Sequence, residues 1–120
     1  MSPGAEGPRV FRTLRGDAIE TTTSAYGSVG RLFTGEGLEL VWVRKENEEV
    51  DPGWFSQSAV DLIVVLQGGL RCEFDDPASE STNLCAGDVL ILPADTRCRA
   101  YRWPREQRDA TIFIAIYPKP

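Results

Sequence analysis

Histidine is absent from this sequence. That excludes a Ser-His-Asp or Cys-His couple and any imidazole metal site, so the chain must do its work with other groups. Cysteine is scarce: Cys72, Cys85 and Cys98 are odd in number and widely spaced, with no Cys-x-x-Cys pair. That is neither a disulfide framework nor a zinc knuckle, and all three are expected as free thiols. An excess of positive charge is missing too. Thirteen Lys plus Arg against eighteen Asp plus Glu leave a net charge of −5, which disfavours nucleic acid because phosphate binding relies on a basic face. No apolar run approaches the roughly 20 residues that span a bilayer. The N-terminus, Met-Ser-Pro-Gly-Ala-Glu-Gly-Pro, lacks the charged start and apolar core of a signal peptide. A soluble cytoplasmic protein with neither nucleic acid nor membrane as partner is expected.

What is present is an ordinary globular balance, 42% hydrophobic and 26% charged over 120 residues, enough for one compact domain. Residues 1–8 are small and Pro/Gly-rich and read as a flexible tail, leaving 9–120 as the single domain. No window carries a sustained apolar repeat at three and four residues, so at most a helical turn is expected, between Leu14 and Thr22. Instead the apolar residues fall in short runs bounded by turn residues: 38–43 (LELVWV), 60–66, 70–74 (LRCEF), 89–92, 98–103 and 110–117. Residues 75–82 read as a polar loop, and 46–49 (ENEE) and 104–109 (PREQRD) as charged solvated connections. About eight to ten strands in a domain of this size define an all-β sandwich or barrel.

The stretch from Asp61 to Cys98, DLIVVLQGGLRCEF, a loop, then CAGDVLILPADTRC, resembles the cupins. The first cupin motif reads His-x-His, three or four residues, Glu, six residues, Gly. Gly68 fits the glycine, and Asp61 stands at the glutamate. Phe55 and Gln57 fall on the histidines in one register, Trp54 and Ser56 in the other. The second motif reads Gly, five residues, Pro, x, Gly, two residues, His, three residues, Asn; Gly87, Pro93, Asp95, Cys98 and Arg102 occupy those positions. The resemblance spans roughly residues 36–118 and implies a double-stranded β-helix, the jelly-roll β-barrel. It also implies frequent dimers. The three histidines and the glutamate that hold metal in such proteins are all replaced here, so no metal and no cofactor is expected.

Parity extends this reading. If the strand is unbroken, Phe55, Gln57, Asp61, Ile63 and Val65 lie on one face of it, the interior of a small barrel, and Cys98, Ala100 and Arg102 share a face of another. Arg102 is in a position to pair with Asp61 or with an anionic ligand. Trp42, Trp54 and Phe55 offer an aromatic wall or core packing. Cys98 is either a small buried hydrophobe or a thiolate activated by Arg97, Arg99 or Arg102. The expected ligand-binding set is thus Phe55, Gln57, Asp61, Cys98, Arg102 and Trp42.

Three functional readings follow. One is a metal-free binding module holding a small organic molecule in the barrel. The second is a metal-independent isomerase, epimerase, lyase or cyclase, with Asp61 moving protons and Cys98 or Tyr101 as partner. The third is a homodimer scaffold in which residues 9–14 add a strand to a partner's sheet.

Overall fold

A computed structural model describes residues 7–16, 19–46 and 49–119. Most of the expected N-terminal tail, Asp17 and Ala18 of the expected helical turn, and Asn47 and Glu48 of the acidic run lie outside the described residues. Nine strands occur among them, and no helix: β1 (Thr21–Ser24), β2 (Gly27–Gly35), β3 (Leu38–Lys45), β4 (Asp61–Gln67), β5 (Gly69–Phe74), β6 (Thr82–Cys85), β7 (Val89–Leu92), β8 (Cys98–Arg102) and β9 (Thr111–Pro118). Near the expected helical turn the chain makes a single hydrogen-bonded turn slightly earlier, with the Arg15 and Gly16 amides both donating to the Arg12 carbonyl at 3.1 Å. It is extended again by Thr21.

The strands form two antiparallel sheets, one ordered β1-β2-β3-β9-β4-β7 and the other β6-β5-β8. The architecture is the expected two-sheet jelly roll, although backbone pairing does not join the sheets into a closed barrel. The chain passes from the large sheet to the small one at Gly68, whose φ of +74° suits glycine. That corner is tied down: the Thr111 hydroxyl donates to the Gly69 carbonyl at 2.6 Å, and the Gly69 amide donates to Gln107 Oε1 at 3.0 Å.

Alternation along each strand decides what faces inward. Ile63, Val65, Leu70, Cys72, Leu92, Cys98 and Phe113 form the core between the sheets. Truncating any of the larger ones costs about 2–5 kcal/mol, since lost transfer energy and a residual cavity add. The opposite face of the large sheet has its own cluster, Leu32, Trp42 and Ile112, covered by Phe11 and Ile19. Trp42 is anchored there by its indole N–H, which donates to the Thr13 carbonyl at 2.9 Å. The chain can lie this close because position 30 is glycine: a Cβ there would meet Ile19 Cγ2 at 2.5 Å. Residues 9–14, expected to reach a partner's sheet, thus include Phe11 and Thr13 docked on their own.

Candidate functional site: a cavity on the inner face of the large sheet

A cavity of about 270 Å³ opens between the sheets. Its floor is the inner face of the large sheet: Val41 and Val43 of β3, Phe113, Ala115 and Tyr117 of β9, and Asp61 and Ile63 of β4. Register explains why these meet. Tyr117 opposes Glu39 on β3, and Ile116 opposes Leu62 on β4, so Glu39, Tyr117 and Asp61 form one cross-strand row. Val41, Ala115 and Ile63 form the next. The small sheet contributes Arg99 and Ala100.

The third wall is the connection between β3 and β4. Its alternate residues Asp51, Gly53, Phe55 and Gln57 line the cavity. Phe55 is fixed by two backbone hydrogen bonds with Cys98, each 2.9 Å, and the Gln57 carbonyl accepts from the Asp95 amide at 2.8 Å. Trp54 lies beneath the Arg99 guanidinium, 4.4 Å from its ring centre. The two registers left open by the sequence are thereby separated: Phe55 and Gln57 line the cavity, while Trp54 and Ser56 are not among its lining residues.

Asp61 is the polar centre of this site. It is 4% exposed, and its Oδ1 accepts no hydrogen bond. Burial alone pushes its carboxyl above the ordinary aspartate range, because no opposing charge offsets the desolvation of the ionised form. Lys45 and Arg99, which also line the cavity, have protein acceptors. Lys45 Nζ donates to the Tyr26 carbonyl at 2.9 Å, and Arg99 Nε to Glu73 Oε1 at 2.8 Å. Tyr117, which sequence reasoning missed, stands beside Asp61. Its hydroxyl is pushed up by burial and by the charges of Glu39 and Asp61, so it stays a neutral donor near neutral pH.

The other residues singled out in the sequence sit elsewhere. Trp42 has the opposite parity to Val41 and Val43 and belongs to the outer cluster, not to the cavity. Arg102 is buried, but at the far end of β8; its guanidinium donates to the Gln107 carbonyl and does not meet Asp61. Cys98 is fully buried in the core. A hydrogen bond with Cys72, then burial, then the charges of Cys72 and Asp61 push its thiol up. It is therefore an inert core group rather than an activated thiolate. The neighbouring arginines do not reverse this, since Arg97 pairs with Asp75 and Arg99 with Glu73. Tyr101 alternates with the cavity-lining Ala100; it packs edge-on to Trp103, feels Glu73 and Arg71, and does not line the cavity. Cys72, Cys85 and Cys98 are free thiols, and only Cys85 is exposed.

The donor set does not suit the metal that this fold carries elsewhere. Among the described residues no three His, Cys, Asp or Glu side chains converge. The positions equivalent to metal ligands hold an aromatic ring, an amide, one carboxyl and a thiol bonded within the core, short of the three protein ligands typical of a catalytic zinc site.

No protein-family model matches the chain, and no curated protein is similar in sequence. Solved structures do match. An RmlC-like cupin with a double-stranded β-helix fold from Methanocaldococcus jannaschii superposes with a TM-score of 0.67 at 15% identity, covering 96% of this chain and 92% of that one. An RmlC-like cupin from Shewanella frigidimarina gives 0.68 at 16% identity, covering 88% and 87%. KdgF from Halomonas sp. gives 0.65 at 18% identity, covering 84% and 87%. The chain therefore has the cupin fold, the double-stranded β-helix implied by Gly68 and the Gly87-to-Pro93 spacing. At these identities the likeness is one of fold. No helix among the described residues is long and apolar enough to cross a membrane.

Proposed function

We propose that this protein binds a small organic molecule, without a metal, in the cavity around Asp61. The observation that carries this reading is the buried Asp61 carboxyl, its Oδ1 without a hydrogen bond, on the wall of a mostly apolar cavity. Buried polar groups are normally hydrogen-bonded, and an orphaned carboxyl on a cavity wall is the mark of a group that meets its partner on binding. Lys45, Gln57, Arg99 and Tyr117 supply the few polar contacts that orient a ligand against the apolar walls. A thermal-shift screen against small metabolites tests this, since a ligand that binds only the folded state raises Tm by mass action. Hits should shift the wild type and fail to shift Ala115→Phe, which fills the cavity. Hits that shift both equally bind elsewhere and overturn the reading.

A second reading, a metal-independent isomerase, epimerase, lyase or cyclase, is favoured by one observation: Tyr117 stands beside Asp61 in the same cavity. A carboxyl whose proton affinity is raised by burial and a neutral phenol are a base and a donor for proton transfer. In this reading Tyr117 takes the place of Cys98 or Tyr101.

The expected homodimer is also retained as a proposal. Val89 and Ile91 on the edge strand β7 are 55% and 62% exposed, and they pair with Val64 and Leu62 to make a charge-free aliphatic face. A second copy of that face suits it in a self-complementary contact. Sedimentation of the wild type as a dimer and of Ile91→Glu as a monomer would support this; a wild-type monomer at micromolar concentration overturns it.

A further inference from the structure

We infer that the cavity selects a cationic ligand: a small, largely apolar molecule carrying a protonated amine, whose ammonium group sits against the Asp61 carboxyl while its body lies on Val41, Ile63 and Phe113. This deepens, and rests on, the reading of the cavity as a ligand site.

Four ionisable side chains with a formal charge near neutral pH line the cavity: Lys45, Asp51, Asp61 and Arg99. Three are engaged by the protein. Lys45 donates to the Tyr26 carbonyl, Asp51 Oδ1 accepts from the Gly53 amide at 2.8 Å, and Arg99 is paired with Glu73 and stacked on Trp54. Asp61 is the exception, buried with an oxygen that accepts nothing.

The groups that share its surroundings do not supply a cation. Tyr117 from β9 is a neutral phenol, Cys98 from β8 is a neutral thiol, and Glu39 from β3 is itself anionic and paired with Arg31 through Oε1, its Oε2 accepting no hydrogen bond. Arg102, which sequence parity offered as the counter-ion, is turned to the Gln107 carbonyl. A counter-charge for the ionised carboxyl can therefore come only with a ligand. An ammonium there forms a charge-assisted hydrogen bond in a weakly screened setting, stronger than the bond a neutral hydroxyl makes. A carboxylate ligand would face an acid without a counter-charge, and its natural partners Lys45 and Arg99 are already engaged.

Benzylamine, benzyl alcohol and benzoate present a cation, a neutral donor and an anion on the same ring, so the series isolates charge. By calorimetry or NMR titration of the whole chain at pH 7, benzylamine should bind about tenfold or more tightly than benzyl alcohol, with benzoate weakest. Lowering the pH to protonate Asp61 should weaken benzylamine and leave benzyl alcohol unchanged, an arm that needs no variant. Asp61→Asn should bring the amine and the alcohol to equal affinity. Equal affinities in the wild type, or a preference for benzoate, overturn the cation inference while leaving the cavity as a ligand site. Binding of none of the three, or binding that Ala115→Phe does not abolish, removes the ligand site and this inference together.

Discussion

Glu39 and Asp61 stand in one cross-strand row on either side of Tyr117, both buried, and the protein treats them in opposite ways. Glu39 is held below the ordinary glutamate range, chiefly by the Thr34 hydroxyl and then by Arg31 and Lys119, against the cost of burial. Asp61 receives no such help, and burial alone pushes it up. The difference separates two uses of a buried carboxyl. Where the chain provides cations and donors, the group joins neighbouring strands as a structural ion pair. Where it provides none and leaves a cavity in front, the unmet demand is turned toward whatever enters.

The largest effect comes from removing the floor beneath the row. Ile63, 1% exposed and next inward from Asp61 on β4, supports both the cavity and the core. Ile63→Ala should lose about 2–5 kcal/mol in chemical denaturation and abolish ligand-induced shifts. A loss below 1 kcal/mol would mean that the two sheets do not pack as described.

A smaller effect separates the two carboxyls directly. Glu39→Gln removes the negative charge that faces Arg31 and Lys119 and should lower Tm at pH 7. A depressed folded-state value contributes stability present above the unfolded value and lost as pH falls through the folded one. The Tm gap between wild type and Glu39→Gln should therefore close on acidification. A gap independent of pH would show that the ion pair contributes nothing.

The smallest effect has the opposite sign. A raised folded-state value means that the native protein holds its proton more tightly than the unfolded chain. Stability attached to Asp61 is thus present at acid pH and lost as pH rises through the raised value. Asp61→Asn should be as stable as the wild type near pH 4 and equally or more stable at pH 7. A clear loss of Tm at pH 7 would reveal a protein partner for Asp61 and undo the comparison.

Much of this was legible in the chain. Parity through Ile63 and Val65 fixed the inner face of β4, and extending it back through Gln57 and Phe55 identified cavity-lining residues although only Phe55, of 55–60, makes a β-bridge. The motif spacing located Gly68 and Asp61. Other features were hidden for physical reasons. In GSVGRLFTG three glycines break the alternation, so the longest strand, β2, has no clear signature. In LELVWV and TIFIAIY both faces are apolar because both are covered, one by the core and one by the N-terminal segment. Composition therefore cannot say which face holds Trp42 and which holds Tyr117. Anchoring parity on Phe113 as a core residue would have found Tyr117. Arg102 has the inward parity expected of it; the error lay in position along the strand, because the cavity opens at the other end of β8.

The most direct test follows the carboxyl carbons of Asp61 and Glu39 by NMR through a pH titration, without and with saturating benzylamine. The account predicts an Asp61 midpoint above the ordinary value of about 3.9 in the free protein, a fall when the amine is bound, and a Glu39 midpoint that starts low and does not move. An Asp61 midpoint at or below the ordinary value in the free protein would show that the chain already supplies its counter-charge, and would contradict the account.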